Sequence, residues 1–386
     1  MKPIAFLTKM TCGLVVLFVL SFFGRTEAVS SDQKCQWVPV DQNSFAEILT
    51  MIGDRVRENN HKIRTWQGRI KIVTDDVDEG DIAEKMFKKR LRDDGQPIPN
   101  KIKEHDEFTR EFALDVNKEL LYESYYPDGQ NYIIDAETGR NLQLRERLHK
   151  GSGKNILTPD FHIHCMDIKN RDGFIVRRDV IKQARPEPEG ELTCGSHLVP
   201  VYDPRESLRV FGDPLGETFA KYLSYIDKHE QSSTLAGYTM KVELEECNVG
   251  DAKKYKIVLP AVLSGGPKVY ISSTLVCSSE AGFNVVSYLT TANYDRVLEN
   301  KTWRYGLVNG VYLPLQTTHV RFDYQTGNLD TQSISTFIVQ KANNPISDEV
   351  FTYKNLVLQN GDKFIDKILN KEYTYQDEEL IPVSNK

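Results

Sequence analysis

The sequence predicts a mainly antiparallel β protein with some helix, which places it in the α+β class. Segments that alternate apolar and polar residues clearly outnumber segments with helical periodicity. Turn signals separate the alternating segments, notably Pro127-Asp128-Gly129 and Asn309-Gly310. Strands and helices do not alternate regularly, as a parallel sheet requires, so the strands are expected to pair antiparallel.

The first helix is predicted at residues 44–60, with Ser44 as its N-cap. Its apolar residues recur at helical spacing and form one stripe: Phe45, Ile48, Leu49, Ile52 and Val56. Directly afterwards, residues 64–75 change to a period of two, which is typical of a half-buried strand. One face of that strand carries Trp66, Gly68, Ile70 and Ile72.

Further strands are predicted in two runs, separated by a Pro- and Glu-rich stretch at residues 184–190. Two more helices are expected at residues 82–92 and 216–229. The first run of strands covers residues 108–114, 120–126, 132–135, 161–168 and 173–180. The second run covers residues 238–247, 255–262, 269–277, 283–290, 303–307, 311–324 and 333–340.

The N-terminus has the order of a secretory signal peptide. Lys2 and Lys9 supply positive charge, residues 10–23 are uncharged, and Thr26-Glu27-Ala28 places small residues before a cleavage point. The uncharged stretch is shorter than the about 20 residues that a membrane-spanning helix needs. We therefore expect residues 1–28 to be removed and the mature protein to be periplasmic or secreted; a signal anchor is the alternative.

Charge and cysteine content narrow the function classes. The 386-residue chain has a formal net charge of -6 and no basic stripe, which argues against nucleic acid as a partner. An exported chain favours disulfides, but the odd number of cysteines after residue 28 leaves at least one thiol unpaired. The sequence does not determine which of these cysteines pair. The five are Cys35, Cys165, Cys194, Cys247 and Cys277.

Two clusters carry side chains that catalysis or metal binding uses. His162 and His164 would share one face of a strand, where a metal could bind them, but Cys165 would point to the other face. Cys194 and His197 could supply a thiolate and its base, although nothing in their spacing requires it. The zinc-protease and serine-hydrolase signatures do not occur. We predict no enzyme, no metal and no cofactor.

The order of elements resembles a known family. A helix is followed by a strand with Trp66-Gln67-Gly68-Arg69-Ile70, and later by Asn309-Gly310-Val311-Tyr312-Leu313-Pro314. Two alternating strands at 317–324 and 333–340 come next, and an extended segment at 348–369 closes the chain. This arrangement is similar to the LolA/LolB-like superfamily, the periplasmic lipoprotein-sorting and lipoprotein-carrier proteins. It also resembles large secreted proteins of planctomycete-type bacteria that carry this fold.

The resemblance implies a strongly curved, open half-barrel sheet whose apolar concave face is covered by helices. Residues 29–386 would form a single domain of this type, with helical or loop insertions near residues 80–104 and 184–230. Such a protein would bind or carry a lipid, a lipoprotein acyl chain or another hydrophobic ligand, with possible peripheral association with the cell envelope.

Nine residues are candidates to line the hydrophobic ligand on the concave face: Trp66, Ile70, Ile72, Phe108, Phe112, Val320, Phe322, Ile334 and Ile338. The same alternating pattern would arise if these side chains packed as a dry core. A structural or interaction module of the cell envelope, with a filled core, is therefore the first alternative. A metal-dependent or cysteine/histidine hydrolase that uses His162, His164 or His197 is the second.

Overall fold

The computed structural model of the chain describes most of the region after the predicted signal peptide. The predicted helix at 216–229, nearly all of that at 82–92, Cys194 and His197 lie outside the described residues. No helix in the described part is both long enough and apolar enough to cross a bilayer. The described residues are 35–78, 92, 95, 98–99, 101–128, 132–142, 152–169, 175–185, 204–205, 209–210, 213–214, 234–235, 238–239, 242–263, 269–293, 296–324 and 326–383.

The helix α1 spans Phe45–His61 and confirms the helix predicted at residues 44–60. The predicted stripe is its packing face, because Leu49, Ile52 and Val56 are almost completely buried. The last turn of α1 is fixed to the sheet by Asn59. Its Nδ2 donates to the carbonyl oxygen of Tyr312 (3.0 Å), and its Oδ1 accepts from the backbone N–H of Tyr312 (2.8 Å).

The strand that follows α1 has the predicted alternation. Trp66, Ile70 and Ile72 are buried on one face, and Gly68 lies between them on the same face. The strand runs beyond residue 75 to Asp78, because Val77 and Asp78 continue the backbone pairing opposite Lys103 and Ile102.

The described residues form 22 strands, numbered in chain order. The first eight are β1 Val38–Pro39, β2 Thr65–Asp78, β3 Ile102–Asp115, β4 Leu120–Pro127, β5 Tyr132–Asp135, β6 Gly153–Leu157, β7 Phe161–Lys169 and β8 Ile175–Ala184. Four short strands follow: β9 Arg209–Val210, β10 Asp213–Pro214, β11 Thr234–Leu235 and β12 Tyr238–Thr239. The remainder are β13 Glu243–Val249, β14 Ala252–Leu263, β15 Val269–Ser278, β16 Val285–Ala292, β17 Arg296–Val308, β18 Val311–Phe322, β19 Leu329–Ala342, β20 Lys363–Asp366, β21 Lys371–Gln376 and β22 Glu379–Pro382.

Eighteen of these strands belong to one large curved, unclosed sheet, which confirms the predicted α+β half-barrel class. Strand β1 pairs with β13, and β13 to β19 follow one another as an antiparallel meander. Strand β2 then lies between β19 and β3, and the sheet continues through β4 and β5, β6, β7 and β8. Strand β20 joins β8 in the one parallel pairing among the described residues, followed by β21 and β22.

The strand register identifies two faces of this sheet, since directly opposed residues in an antiparallel pair share a face. From Ile72, the register runs through Ser335 and Thr317 to Trp303. Trp303 belongs to the apolar cluster beneath α1. We call this the helix face, and the opposite one the outer face.

The described residues form three large apolar clusters. The α1 cluster lies on the helix face of β13–β17 and comprises Leu49, Ile52, Val56, Leu244, Tyr255, Ile257, Leu259, Leu275, Cys277, Val285, Tyr288 and Trp303. The Trp66 cluster centres on the helix face of β2 and β3 and comprises Ile63, Trp66, Ile70, Ile72, Phe112, Leu114, Leu121, Val311, Leu313, Phe337 and Ala342. The outer-face cluster lies mainly on β6–β8 and β20 and comprises Ala113, Ile156, Ile163, Cys165, Val180, Phe351, Leu356 and Phe364.

The outer-face cluster is covered by the segment that follows β19. Phe351 and Leu356 come from two short 3₁₀ turns, Asp348–Phe351 and Tyr353–Leu356, and both side chains are buried. The C-terminal segment therefore has the role on the outer face that α1 has on the helix face.

One disulfide joins the start of the described chain to the sheet. Cys35 is bonded to Cys247 on β13, with a Cα–Cα distance of 5.9 Å. Cys165 and Cys277 are unpaired and buried. The bridge fixes the segment that contains β1 to one edge of the sheet.

Candidate ligand-binding face

The Trp66 cluster holds most of the predicted ligand-lining aromatic residues. The Trp66 ring lies edge-on to Phe112 with 5.4 Å between centroids, and it stacks on Phe337 at 5.9 Å. Its Nε1 donates a hydrogen bond to Gln340 Oε1 (3.1 Å), and Gln340 Nε2 donates to the carbonyl oxygen of Pro314 (2.6 Å). The indole is therefore held by packing and by a hydrogen bond to its polar atom.

Gly68 makes this packing possible. A Cβ atom at this position would lie 2.6 Å from the carbonyl oxygen of Val339 and 2.9 Å from the Phe112 ring. The ring of Phe112 thus lies directly against the backbone of β2, where any larger residue would displace it.

The structure brings five of the nine candidate lining residues together on the helix face: Trp66, Ile70, Ile72, Phe108 and Phe112. Trp66, Ile70, Ile72 and Phe112 are buried, and Phe108 is half-buried at the edge of the same cluster. Because β2 and β3 pair without a register shift, the alternation in the sequence translates directly into this shared face.

The other four candidates do not lie with them. Val320 lies opposite Gln332, and Ile334 lies opposite Val73, so both belong to the outer face. Ile338 lies at the irregularity between Phe337 and Val339 and is 54% exposed. Phe322 lies at a second irregularity, at the end of the β18–β19 pairing. The expected inward orientation of Val320 and Ile334 is therefore corrected, because Thr317, Ser335 and Phe337 occupy the helix face of these strands.

The helix face changes from apolar to polar along its strands. On the same face, Thr74, Asp106 and Lys301 lie two residues along their strands from Ile72, Phe108 and Trp303, respectively. Lys301, Glu299 and His319 form a partly exposed charged group on β17 and β18. The helix face therefore has an apolar zone and a charged zone that adjoin along the strands.

Glu299 is the centre of this charged group. Its Oε1 lies 2.9 Å from Lys301 Nζ and 2.7 Å from His319 Nε2. Burial alone would raise the pKa of Glu299, but the hydrogen bonds and positive charges of His319 and Lys301 outweigh it and lower the pKa to about 2. The carboxylate is therefore ionised at neutral pH.

A buried polar network lies further along the helix face, on β3, β4, β6 and β7. The Arg110 guanidinium pairs with the Glu123 carboxylate, which also accepts from Asn155 Nδ2 (3.1 Å). Asn155 Oδ1 accepts from both His162 Nε2 (3.1 Å) and His164 Nδ1 (2.6 Å). Glu123, Asn155, His162 and His164 are all at most 3% exposed.

Both histidines of this network are neutral at pH 7. Burial, and secondarily the neighbouring His164, lower the pKa of His162 to about 4. Burial also lowers the pKa of His164. The shared face of His162 and His164 is as predicted, because they lie opposite Leu157 and Asn155 on β6.

Cys165 does not take part in this network. It lies on the outer face among apolar residues, where burial raises the pKa of its thiol to about 12. Within the described ranges, no group of three or more His, Cys, Asp or Glu side chains is placed to hold a metal ion. Arg110, Glu123 and Asn155 were not singled out from the sequence, because they come from three strands whose register no local motif reveals.

Comparison with known proteins gives limited similarity. No family model matches the chain, and no curated protein matches it. A DUF1329 family protein from Desulfovibrio piger is similar in structure, with 9% identity and a TM-score of 0.32 over 81% of this chain and 99% of that one. A putative outer membrane lipoprotein-sorting protein domain from Vibrio parahaemolyticus has 7% identity and a TM-score of 0.30 over 79% of this chain and 97% of its own.

Proposed function

We propose that the protein is a non-enzymatic, exported binding protein that holds a lipid, an acyl chain or another hydrophobic ligand on the helix face of β2 and β3. The observation that carries this proposal is the position of α1. The helix packs over β13–β17, and none of its residues belongs to the Trp66 cluster. The helix α1 is therefore not part of the cover over the apolar side chains of β2 and β3, and a ligand would contribute to their burial.

Apolar contact alone is sufficient for such binding. Each buried methylene contributes about 0.8 kcal/mol, so a sixteen-carbon chain would gain roughly 12 kcal/mol before ordering costs. Phe108 is the candidate contact residue, because it is half-buried at the margin of the Trp66 cluster, two residues from the polar zone. The apolar tail of an amphiphile would lie over the cluster, and its polar end would face Lys301, Glu299 and His319.

An extracytoplasmic location fits the covalent structure. Cys35 and Cys247 form a disulfide. Disulfides persist in the periplasm and outside the cell and are rare in the reducing cytosol. It also agrees with the signal-peptide pattern of residues 1–28. Edman sequencing or mass spectrometry of the exported protein would test whether cleavage occurs after Ala28.

The test of ligand binding is organic extraction of the purified mature protein, followed by lipid mass spectrometry. We expect co-purified lipid in the wild type. In the delipidated protein, Phe108→Ala should weaken binding of a fluorescent fatty-acid probe by roughly tenfold, because a buried aromatic contact is lost. Val320→Ala, on the outer face, is the matched control and should bind like the wild type. An extract without lipid, together with a probe that does not bind, would exclude the proposal.

A second candidate function is an envelope interaction module with a filled core. The observation that favours it is the tight packing around Gly68, where the Phe112 ring and the Val339 carbonyl leave no room for a single added carbon. This alternative expects no lipid in the extract and a protein partner in a crosslinked complex from the cell envelope, for example at the edge strand β22. The extraction experiment separates the two.

A further inference from the structure

The turn between β20 and β21 exposes large aliphatic side chains. In this turn, at residues 367–370, Ile368 is 49% exposed and Leu369 is 57% exposed. Val383 directly follows β22 and is 45% exposed, and its backbone N–H donates to the carbonyl oxygen of Glu372 (2.9 Å), which places it at the same end of the hairpin. We call Ile368, Leu369 and Val383 the apolar tip. Turns usually present polar residues to water, so a group of exposed aliphatic residues at this position indicates a contact surface.

A buried carboxylate holds the turn in this conformation. Asp366 is only 4% exposed, and its Oδ1 accepts from the backbone N–H groups of Ile368 (2.9 Å) and Leu369 (3.0 Å). Its Oδ2 accepts from Lys182 Nζ (3.1 Å), and the backbone N–H of Lys367 donates to the carbonyl oxygen of Lys182 (2.8 Å). The exposure of Ile368 and Leu369 therefore belongs to an ordered turn that is bonded to β8, and not to a frayed end of the chain.

The charges of the hairpin differ between its two ends. Lys367 and Lys371 flank the apolar tip, and both are exposed, with Glu372 as the acidic residue next to them. At the opposite end of β21, residues 377–379 are all acidic and all exposed. The hairpin is therefore basic and apolar at the tip and acidic at the far end, which favours an anionic partner at the tip.

This combination of charge and apolar surface favours a lipid bilayer over a second copy of the chain. Two copies paired through the same surface about a two-fold axis would bring Lys367 and Lys371 of both copies together, and like charges repel. The surface of a bilayer with anionic lipids attracts both lysines. Aliphatic side chains can enter the boundary between headgroups and acyl chains, while lysine stems extend so that their ammonium groups reach the phosphates.

We propose that the β20–β21 turn is a membrane-contact site that inserts the apolar tip into the surface of a bilayer containing anionic lipids. Lys367 and Lys371 would lie at the level of the lipid phosphates, and the acidic end of the hairpin would point away from the bilayer. This inference goes beyond the proposed ligand-binding function and does not depend on it, so the failure of one leaves the other standing.

The test is flotation of the mature protein with vesicles of phosphatidylcholine alone, or of phosphatidylcholine and phosphatidylglycerol at about three to one. The wild type should bind the anionic vesicles, and roughly tenfold less to the neutral ones. The double variant Ile368→Ser/Leu369→Ser should bind the anionic vesicles at least tenfold less, because the aliphatic contact is lost. No flotation of the wild type with either vesicle, or equal flotation of the wild type and this variant, would overturn the proposal.

A matched control changes two exposed aliphatic residues that lie elsewhere. Leu329 begins β19 and is 36% exposed, and Val357 lies beyond the second 3₁₀ turn and is 64% exposed. Leu329→Ser/Val357→Ser should bind the anionic vesicles like the wild type. A loss as large as that of Ile368→Ser/Leu369→Ser would show that binding follows exposed apolar area in general, and would contradict a site at the tip.

Two further measurements identify the contact and its partner. Leu369→Trp should gain fluorescence that brominated phospholipid quenches, whereas Leu329→Trp should not, and equal quenching would contradict insertion of the tip. Sedimentation velocity without vesicles should give the same molecular mass for the wild type and for Ile368→Ser/Leu369→Ser. A wild-type dimer that this variant dissociates would show that a second copy covers the tip, and would overturn the assignment to a bilayer.

Discussion

The two ends of the sheet have their apolar cores on opposite faces. At β13–β17 the core lies on the helix face under α1, whereas at β6–β8 it lies on the outer face under the segment that follows β19. The helix face of β6 and β7 is also buried, but by polar side chains that hydrogen-bond to one another. The crossover occurs on β3, where Phe112 and Leu114 join the Trp66 cluster and Ala113 joins the outer-face cluster.

This difference shows that the helix face of one curved sheet can bury an apolar core at one end and a polar network at the other. The α1 half is a conventional apolar core, whose energy comes from area removed from water. The β6–β8 half buries a balanced polar network on the same face and obtains its apolar packing from the other. Mutations and pH should therefore affect the two halves differently.

The largest expected effect is in the network. Glu123→Leu removes the buried carboxylate that pairs with Arg110 and accepts from Asn155, and it should reduce the free energy of unfolding by about 3–5 kcal/mol. Glu299→Leu is the matched control on the partly exposed charged group, where the loss should be about 1 kcal/mol. Urea unfolding followed by tryptophan fluorescence measures both, and equal losses would contradict the distinction.

The cores of the two halves should be equally sensitive. Ile257 on the helix face and Ile163 on the outer face are both buried, at 0% and 3% exposure. Substitution of either by Ala should cost about 2–5 kcal/mol through lost burial and the remaining cavity. The exposed Ile338→Ala should change stability by less than about 0.5 kcal/mol. An Ile163→Ala variant as stable as Ile338→Ala would show that the outer-face cluster is not a core.

As the pH falls, the β6–β8 half should lose stability before the α1 half. The pKa of His162 is about 4 when folded and about 6.5 when unfolded, so the unfolded chain binds more protons between these values. Its stabilising effect is complete above pH 6.5 and is lost as pH falls towards 4, with a cost of up to about 3 kcal/mol. The contribution of Glu299, whose pKa is lowered from 4.5 to about 2, is lost only between those two values.

Hydrogen exchange at pH 7 and pH 4.5 would show this order directly. Amides of β6 and β7 should lose protection at pH 4.5, while those of β17 and β18 keep it. His162→Gln should remove most of the change, because glutamine does not titrate. Uniform loss of protection across both regions would contradict separate behaviour of the two halves.

The smallest effects concern two glycines covered by aromatic rings. Gly68→Ala should cost about 1–3 kcal/mol, because the added carbon meets a backbone carbonyl as well as the Phe112 ring. Gly153→Ala should cost less, about 1 kcal/mol, since its neighbour is the end of the Tyr125 side chain, which can move. Thermal unfolding measures both, and a greater cost at Gly153 would indicate that Tyr125 is fixed.

The sequence predicted local structure well where one periodicity dominated. Residues 44–60 and 64–75 became α1 and β2, because a single apolar stripe or face fixed the element and its orientation. Val320 and Ile334 were assigned to the wrong face because both faces of β18 and β19 carry apolar residues, and irregular pairing at Phe337 and Arg321 shifts the alternation. Periodicity alone cannot resolve such strands.

The buried polar network could not be predicted from the sequence, for a different reason. His162 and His164 stood out as a pair, but their partner Asn155 belongs to β6, and Glu123 to β4. Only the register brings these three strands into line, and register is a property of the whole sheet. The same holds for the outer-face cluster, whose covering residues Phe351 and Leu356 lie far along the chain from β6 and β7.

The place of β2 between β19 and β3 has a consequence for how the protein matures. Trp66 and Gln340, which meet across the β2–β19 pair, are 274 residues apart in the chain. Because β2 is synthesised early and its partner β19 near the end, the sheet can be completed only after almost the whole polypeptide has been synthesised. Contacts of such long range slow folding. Under the export proposed above, this delay would be an advantage, because it would keep the polypeptide unfolded until translocation is nearly finished.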